Sequence, residues 1–210
     1  MKSKFNVKQL TLLAMLVAVL LLMAFTPLGY LNIGLLAITF NVIPVAIGAI
    51  ALGPAGGLIA GSVFGLTSFL QCIGIGGLSL LGSTLFSINP FFTIVLCFVP
   101  RMLDGFLLGY IFRIVGRFNR TAACFVTGFF AAFLNTAFYM SALVLLFGRT
   151  EYMQGLINGR NILVFICAFV GPNAIFEMLS STIITGAVGT VLCKARLVPE
   201  APKSAKNSEK

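Results

Sequence analysis

The sequence predicts an all-α integral membrane protein: a bundle of six transmembrane helices with cytoplasmic N and C termini. Three observations predict it. Hydrophobic residues make up 59% of the 210 residues and charged residues 9%, against roughly 45–50% and 25% in soluble domains. No Asp, Glu, Lys or Arg occurs between Lys8 and Arg101. The basic residues otherwise gather at the ends of hydrophobic runs, so the net charge of +9 reads as membrane orientation and not as a nucleic-acid surface. An uncharged segment of that length cannot cover a surface in water. Soluble enzymes, nucleic-acid-binding domains and disordered chains are thereby excluded.

A helix crosses the hydrocarbon core, about 30 Å thick, in about 20 residues, and it closes its own backbone hydrogen bonds. Charge, Pro, Gly and Asn set the cuts. Span one covers 9–26 and is broken by Pro27, Gly29, Asn32 and Gly34. Span two, 36–53, ends at Gly53-Pro54, and span three covers 55–72. A Gly- and Ser-rich loop follows over 73–89, closed by Asn89-Pro90 and suited to a flexible lid. Span four is 90–112, span five 121–147, and the last apolar stretch is 161–193. That stretch exceeds one crossing, so Gly171-Pro172-Asn173 is expected to kink it or split it.

Six spans put both termini on one side. Eleven basic residues (Lys2, Lys4, Lys8; Arg113, Arg117, Arg120; Lys194, Arg196, Lys203, Lys206, Lys210) share that side, against Arg149 and Arg160 opposite. The positive-inside rule makes it cytoplasmic. Residues 1–193 read as one six-helix domain and 194–210 as a disordered basic cytoplasmic tail.

Absences narrow the chemistry. With no His, the commonest general base and zinc ligand is missing. No GxxxxGK[ST] loop is present to hold ATP. The five Cys are scattered and read as small apolar fillers. Neither a catalytic site, a metal site nor a cofactor is expected, and the chain is not expected to be an enzyme.

Polar residues at membrane depth are therefore the candidates. An ionisable group near the bilayer centre costs about 2.5–3.5 kcal/mol on insertion scales. Arg101 and Asp104 are i, i+3 neighbours able to pair on one helix face, while Glu177 needs a partner from another span or from a ligand. Thr67, Ser68 and Gln71 line the outer end of span three, and Asn89 heads span four. Asn135 and Thr136 lie midway through span five, and Asn173 shares a face with Glu177. Helix glue and ligand binding are both open to each of them. Together they predict an outward-facing pocket for a small polar organic solute, with Arg101 available to a carboxylate.

Glycines four apart let helix backbones approach closely. Gly57, Gly61 and Gly65 in span three and Gly105 and Gly109 in span four read as internal packing. Ala14 and Ala18 make a small-residue face on span one, either for lipid and bundle packing or for docking another membrane subunit.

Several ordered stretches resemble a known family. The run from Ile43 to Pro54, Phe64-Gly65-Leu66-Thr67-Ser68-Phe69, Asn89-Pro90, Pro100-Arg101 with Gly105 and Gly109, Asn135-Thr136 and Asn173…Glu177 are similar to substrate-binding S components of energy-coupling factor (ECF) vitamin transporters. The pattern looks most like the pantothenate-type members. The resemblance implies capture of a vitamin at Thr67, Gln71, Asn89, Arg101, Asn135, Asn173 and Glu177. It also implies a partner module of one membrane coupling subunit and two ATPases, docked at Ala14 and Ala18, in a bacterial plasma membrane. Other B vitamins such as folate or riboflavin are the alternative cargo. A stand-alone proton-coupled transporter using Glu177 is the alternative mechanism.

Overall fold

A computed structural model describes residues 7–26, 30–33, 36–77, 79–157, 159, 162–195 and 197–198. Lys2, Lys4, Arg160, Arg196 and the predicted tail from 199 onward lie outside the described residues, as do the breakers Pro27, Gly29 and Gly34. The element order is α1 (Val7–Ala24), β1 (Tyr30–Ile33), β2 (Leu36–Thr39), α2 (Val42–Cys72), α3 (Leu80–Ile88), α4 (Pro90–Val115), α5 (Arg120–Phe147), α6 (Glu151–Ile157) and α7 (Ile162–Lys194). Among the described residues, five helices are long and apolar enough to cross a membrane: α1, α2, α4, α5 and, over 173–194, α7.

Connecting turns aside, the described residues are helical except for one antiparallel hairpin, in which Tyr30 pairs with Thr39 and Ile33 with Leu36. That hairpin stands where the sequence predicts a break and then the start of span two. Its segments carry apolar residues at adjacent positions, so the period-two alternation that marks a strand is missing.

α2 is two helical arms, 42–52 and 54–72, joined at Gly53, whose φ of 74° and ψ of −163° leave the helical region. A Cβ built on Gly48 would meet Ala60 at 3.3 Å. In a straight helix those residues would stand about 18 Å apart, so the chain doubles back at Gly53-Pro54. The turn needs glycine because its φ is positive; the Arg113 guanidinium lies over it, a flexible side-chain end that can move aside.

The Gly57, Gly61 and Gly65 ridge of the second arm lies backbone to backbone on α4, facing Gly105, Arg101 and Cys97. This is the internal packing the spacing predicts. The core at this contact joins Val45, Ala49, Ala60, Phe64 and Leu108. α5 and α7 run antiparallel, with Gly189 against Cys124 and Gly128 against Ser181 and Thr185. Val198, just past α7, packs with Ile50, Phe112 and Cys124.

Two further expectations change. The 73–89 segment contains a helix: Ser79 caps α3 by accepting from the Gly82 N–H at 3.2 Å. The helix α7 runs unsplit through 171–173. The cysteines, scattered in sequence, include two close thiol pairs, Cys72 with Cys97 at 3.7 Å and Cys124 with Cys193 at 3.9 Å.

Candidate solute-binding layer

Helix register determines which polar side chains share a depth. The second arm of α2 faces Arg101 with Gly61 and Gly105 with Gly57, so it runs antiparallel to α4. The first arm doubles back and therefore runs parallel to α4. Val45 of that arm lies 3.2 Å from a Cβ built on Gly105. Asn41, four residues before Val45, therefore stands level with Arg101, four residues before Gly105. On α5, Tyr139 touches Arg101, and Asn135 is one turn away. The α5–α7 register then sets Asn135 level with the turn of α7 that carries Glu177. Asn41, Arg101, Asp104, Asn135 and Glu177, all buried, and the half-buried Tyr139 form one polar layer across the bundle.

Arg101 is the centre of this layer. Its guanidinium sits 5.0 Å from the Phe64 ring centroid and 4.9 Å from that of Tyr139, so two aromatic faces hold it. Nη1 donates to the Leu96 carbonyl at 3.1 Å. Among the described residues Nε, buried, has no partner, and neither does Oδ1 of Asp104. The field of Arg101 extends over Asp104 and Glu177. In the sequence, no other Lys or Arg lies between Lys8 and Arg113.

Glu177 accepts the Thr39 N–H through Oε1 at 2.7 Å. The partner the sequence demanded is thus a backbone amide at the end of the hairpin. Among the described residues Asn135 Oδ1 is buried and unpartnered, as are both side-chain polar atoms of Asn41. Buried polar atoms nearly always find partners. The vacant ones in this layer leave bonds that a polar solute can complete, though Thr127, Ser181 and Thr185, at the α5–α7 contact, also carry unpartnered hydroxyls among the described residues.

The other predicted residues lie apart from the layer or are already bonded. Thr67 Oγ1 donates to the Phe64 carbonyl at 2.9 Å within its own helix. Gln71 Nε2 donates to the Ala24 carbonyl at 2.8 Å and ties α2 to the end of α1. Asn89 caps α4, accepting from the Phe92 N–H at 3.2 Å, and lies about 18 Å along that helix from Arg101. Asn173 is half-buried, one turn before Glu177. The layer also contains Asn41, and Phe64 and Tyr139 flank Arg101 there, three residues that the sequence alone does not single out. Asn41 carried the signal already applied to Asn135, an amide inside an uncharged apolar run.

Among the described residues no group of three His, Cys, Asp or Glu gathers that could hold a metal. A cavity of about 430 Å³ between α1, the first arm of α2 and α7 is lined by Leu16, Val19, Phe40, Ile43 and Ile184 and is apolar throughout. It offers a polar solute nothing. On α1, Leu13, Leu16, Leu20 and Ala24 face the bundle while Ala14 and Ala18 are exposed together on the opposite side.

The helical bundle, with a polar layer in its interior, defines a multi-pass membrane protein. Comparison with known proteins then fixes the family. Residues 8–189 match the family described as ECF transporter, substrate-specific component. The chain is 32% identical over 201 residues to the pantothenate transporter PanT of Leuconostoc mesenteroides, covering 90% of this chain and 94% of that protein. It is 28% identical over 170 residues to the pantothenic acid transporter PanT of Lactococcus lactis subsp. cremoris, covering 73% of this chain and 76% of that one. The protein belongs to the substrate-specific components of ECF transporters. It is a multi-pass plasma-membrane transport protein and not an enzyme.

Proposed function

We propose that this chain captures pantothenate from outside the cell and passes it inward as the binding subunit of an ATP-driven ECF importer. The observation that carries the reading is Arg101, buried between Phe64 and Tyr139 with an Nε that has no partner among the described residues. A guanidinium held there is matched to a carboxylate. The neutral amides of Asn41 and Asn135 at the same depth suit the hydroxyl and amide groups of the same solute. The names of the two relatives point to pantothenate.

In this reading the chain crosses the membrane six times with cytoplasmic termini, the two arms of α2 forming separate crossings. The first arm spans 42–52, about 17 Å of helix, so the hairpin before it makes up the rest of that crossing. The cytoplasmic ends carry the Gly53 turn with Arg113, and Lys8 and Lys194. Since the chain has no ATP-binding loop, the motor is a separate module of a membrane coupling subunit and two ATPases. Ala14 and Ala18, exposed on α1, are its docking face, because small residues let a second helix approach closely.

Reconstitution tests this. Proteoliposomes holding the chain and its coupling module are expected to accumulate labelled pantothenate only with internal ATP. Uptake by the chain alone that follows an imposed pH gradient would replace the reading with proton-coupled transport. Preference for folate or riboflavin would keep the mechanism and change the cargo.

A further inference from the structure

We propose that Asn41 binds the uncharged polar part of the substrate, its hydroxyl or amide groups, and that Glu177 is the positioning residue that holds Asn41 in place. The inference rests on the reading above, in which a carboxylated solute sits against Arg101.

Asn41 occupies the N-cap position of α2. An Asn there ordinarily accepts a backbone N–H from the first turn. Here φ is −65° and ψ −17°, and no side-chain cap bond forms. The residue is 0% exposed, yet Oδ1 and Nδ2 both lack a partner among the described residues. The side chain is therefore neither solvated nor capping. It stands level with Arg101 by the register of Val45 on Gly105. Its carboxamide has two donors and an acceptor, the complement of a hydroxyl or an amide, and adds no charge to compete with the guanidinium. One end of the solute needs a cation and the rest needs neutral donors and acceptors. Arg101 and Asn41 supply the two separately.

The place of Asn41 is fixed from α7. Glu177 Oε1 accepts from the Thr39 N–H at 2.7 Å, and Thr39 Oγ1 accepts from the Asn41 N–H at 3.3 Å. This chain of bonds links α7 to the hairpin's end and to the first turn of α2. Glu177 acts on the solute through that linkage and need not touch it.

The test uses the full-length purified chain and two probes. One is pantothenate. The other is panthenol, in which an alcohol replaces the carboxylate while the other hydroxyls and the amide remain. Asn41→Leu is expected to weaken both probes alike, by about 10-fold. Arg101→Ala is expected to weaken pantothenate and leave panthenol nearly unchanged. Unchanged affinity for both probes in Asn41→Leu overturns the inference and leaves the carboxylate reading standing. An unchanged ratio of the two affinities in Arg101→Ala overturns the carboxylate reading itself. If Asn41→Leu fails to fold, Asn41→Ser carries the same expectation. For Glu177, Ala is expected to lower the affinity for both probes while Gln, which keeps an acceptor oxygen, restores it. Equal losses in the two variants overturn the positioning role.

Discussion

Replacing Arg101 with Ala removes the cation at the centre of the polar layer, and the structure sets the size of the effect. The guanidinium has five donors. One is bonded to the Leu96 carbonyl, and Nε, buried, has no partner among the described residues. A charge-assisted bond from this group to a carboxylate contributes about 1.5–3 kcal/mol, a factor of about 10–150 in Kd. The ligand-free protein changes less. Truncation loses contacts with two rings and one carbonyl bond and takes the cation away from buried Asp104 and Glu177; against this, it removes a buried charge that is unfavourable to desolvate, and the two acids can take up a proton. Binding and stability should therefore separate. Equilibrium binding of labelled pantothenate to the detergent-purified variant is expected to show the affinity loss, with a melting temperature within a few degrees of wild type. Arg101→Lys is expected to fall between, since it keeps the charge and loses the planar fork. A folded Arg101→Ala protein with a Kd within about twofold of wild type would refute the reasoning, because one lost charged bond is larger than that.

Further expectations concern packing, docking and the hairpin. Gly61→Leu places a side chain against the Arg101 backbone carbonyl, forcing α2 and α4 apart. Overpacking of that kind costs about 1–3 kcal/mol, to be read as a lowered melting temperature, with Leu66→Ala, at an exposed position on the same helix, as the control. Ala14→Trp and Ala18→Trp are expected to leave pantothenate binding intact and to stop ATP-driven uptake. Lost binding in folded variants would place that face at the site instead. Glu177→Ala is expected to speed amide hydrogen exchange at Thr39 and along β1–β2, measured by mass spectrometry, because it deletes the acceptor of the Thr39 N–H. Unchanged exchange would show that the hairpin is held by other contacts.

Most helix ends were legible because the physics that sets them is local, though the span expected over 36–53 begins in β2 and is helical only from Val42. Gly53-Pro54 marks the turn of α2, and the Gly57, Gly61 and Gly65 spacing marks its contact with α4. The hairpin was not legible: Asn32 sits in a run of apolar residues, and without alternation it read as a helix breaker alone. α3 was hidden by its own cap, since Ser79, Gly82 and Ser83 make a helix start look like loop. In the polar layer, Arg101, Asn135 and Glu177 stand out in the sequence because polar groups are rare in such a chain. Gln71 stood out for the same reason, and its bond to Ala24 shows that rarity alone does not separate helix glue from ligand contact. Asn41 joins the layer only through the fold-back at Gly53, which sets the first arm of α2 parallel to α4. Phe64 and Tyr139 look like any lipid-facing aromatics until Arg101 lies between them.

The proposed transport depends on a lone chain, without its motor, holding one carboxylated solute against Arg101. Native mass spectrometry of the chain purified by itself and incubated with pantothenate tests it most directly. A single adduct of pantothenate mass is expected, much weakened in Arg101→Ala. A folded wild-type chain that stays unliganded at saturating pantothenate, or an adduct equally strong in both proteins, would contradict it.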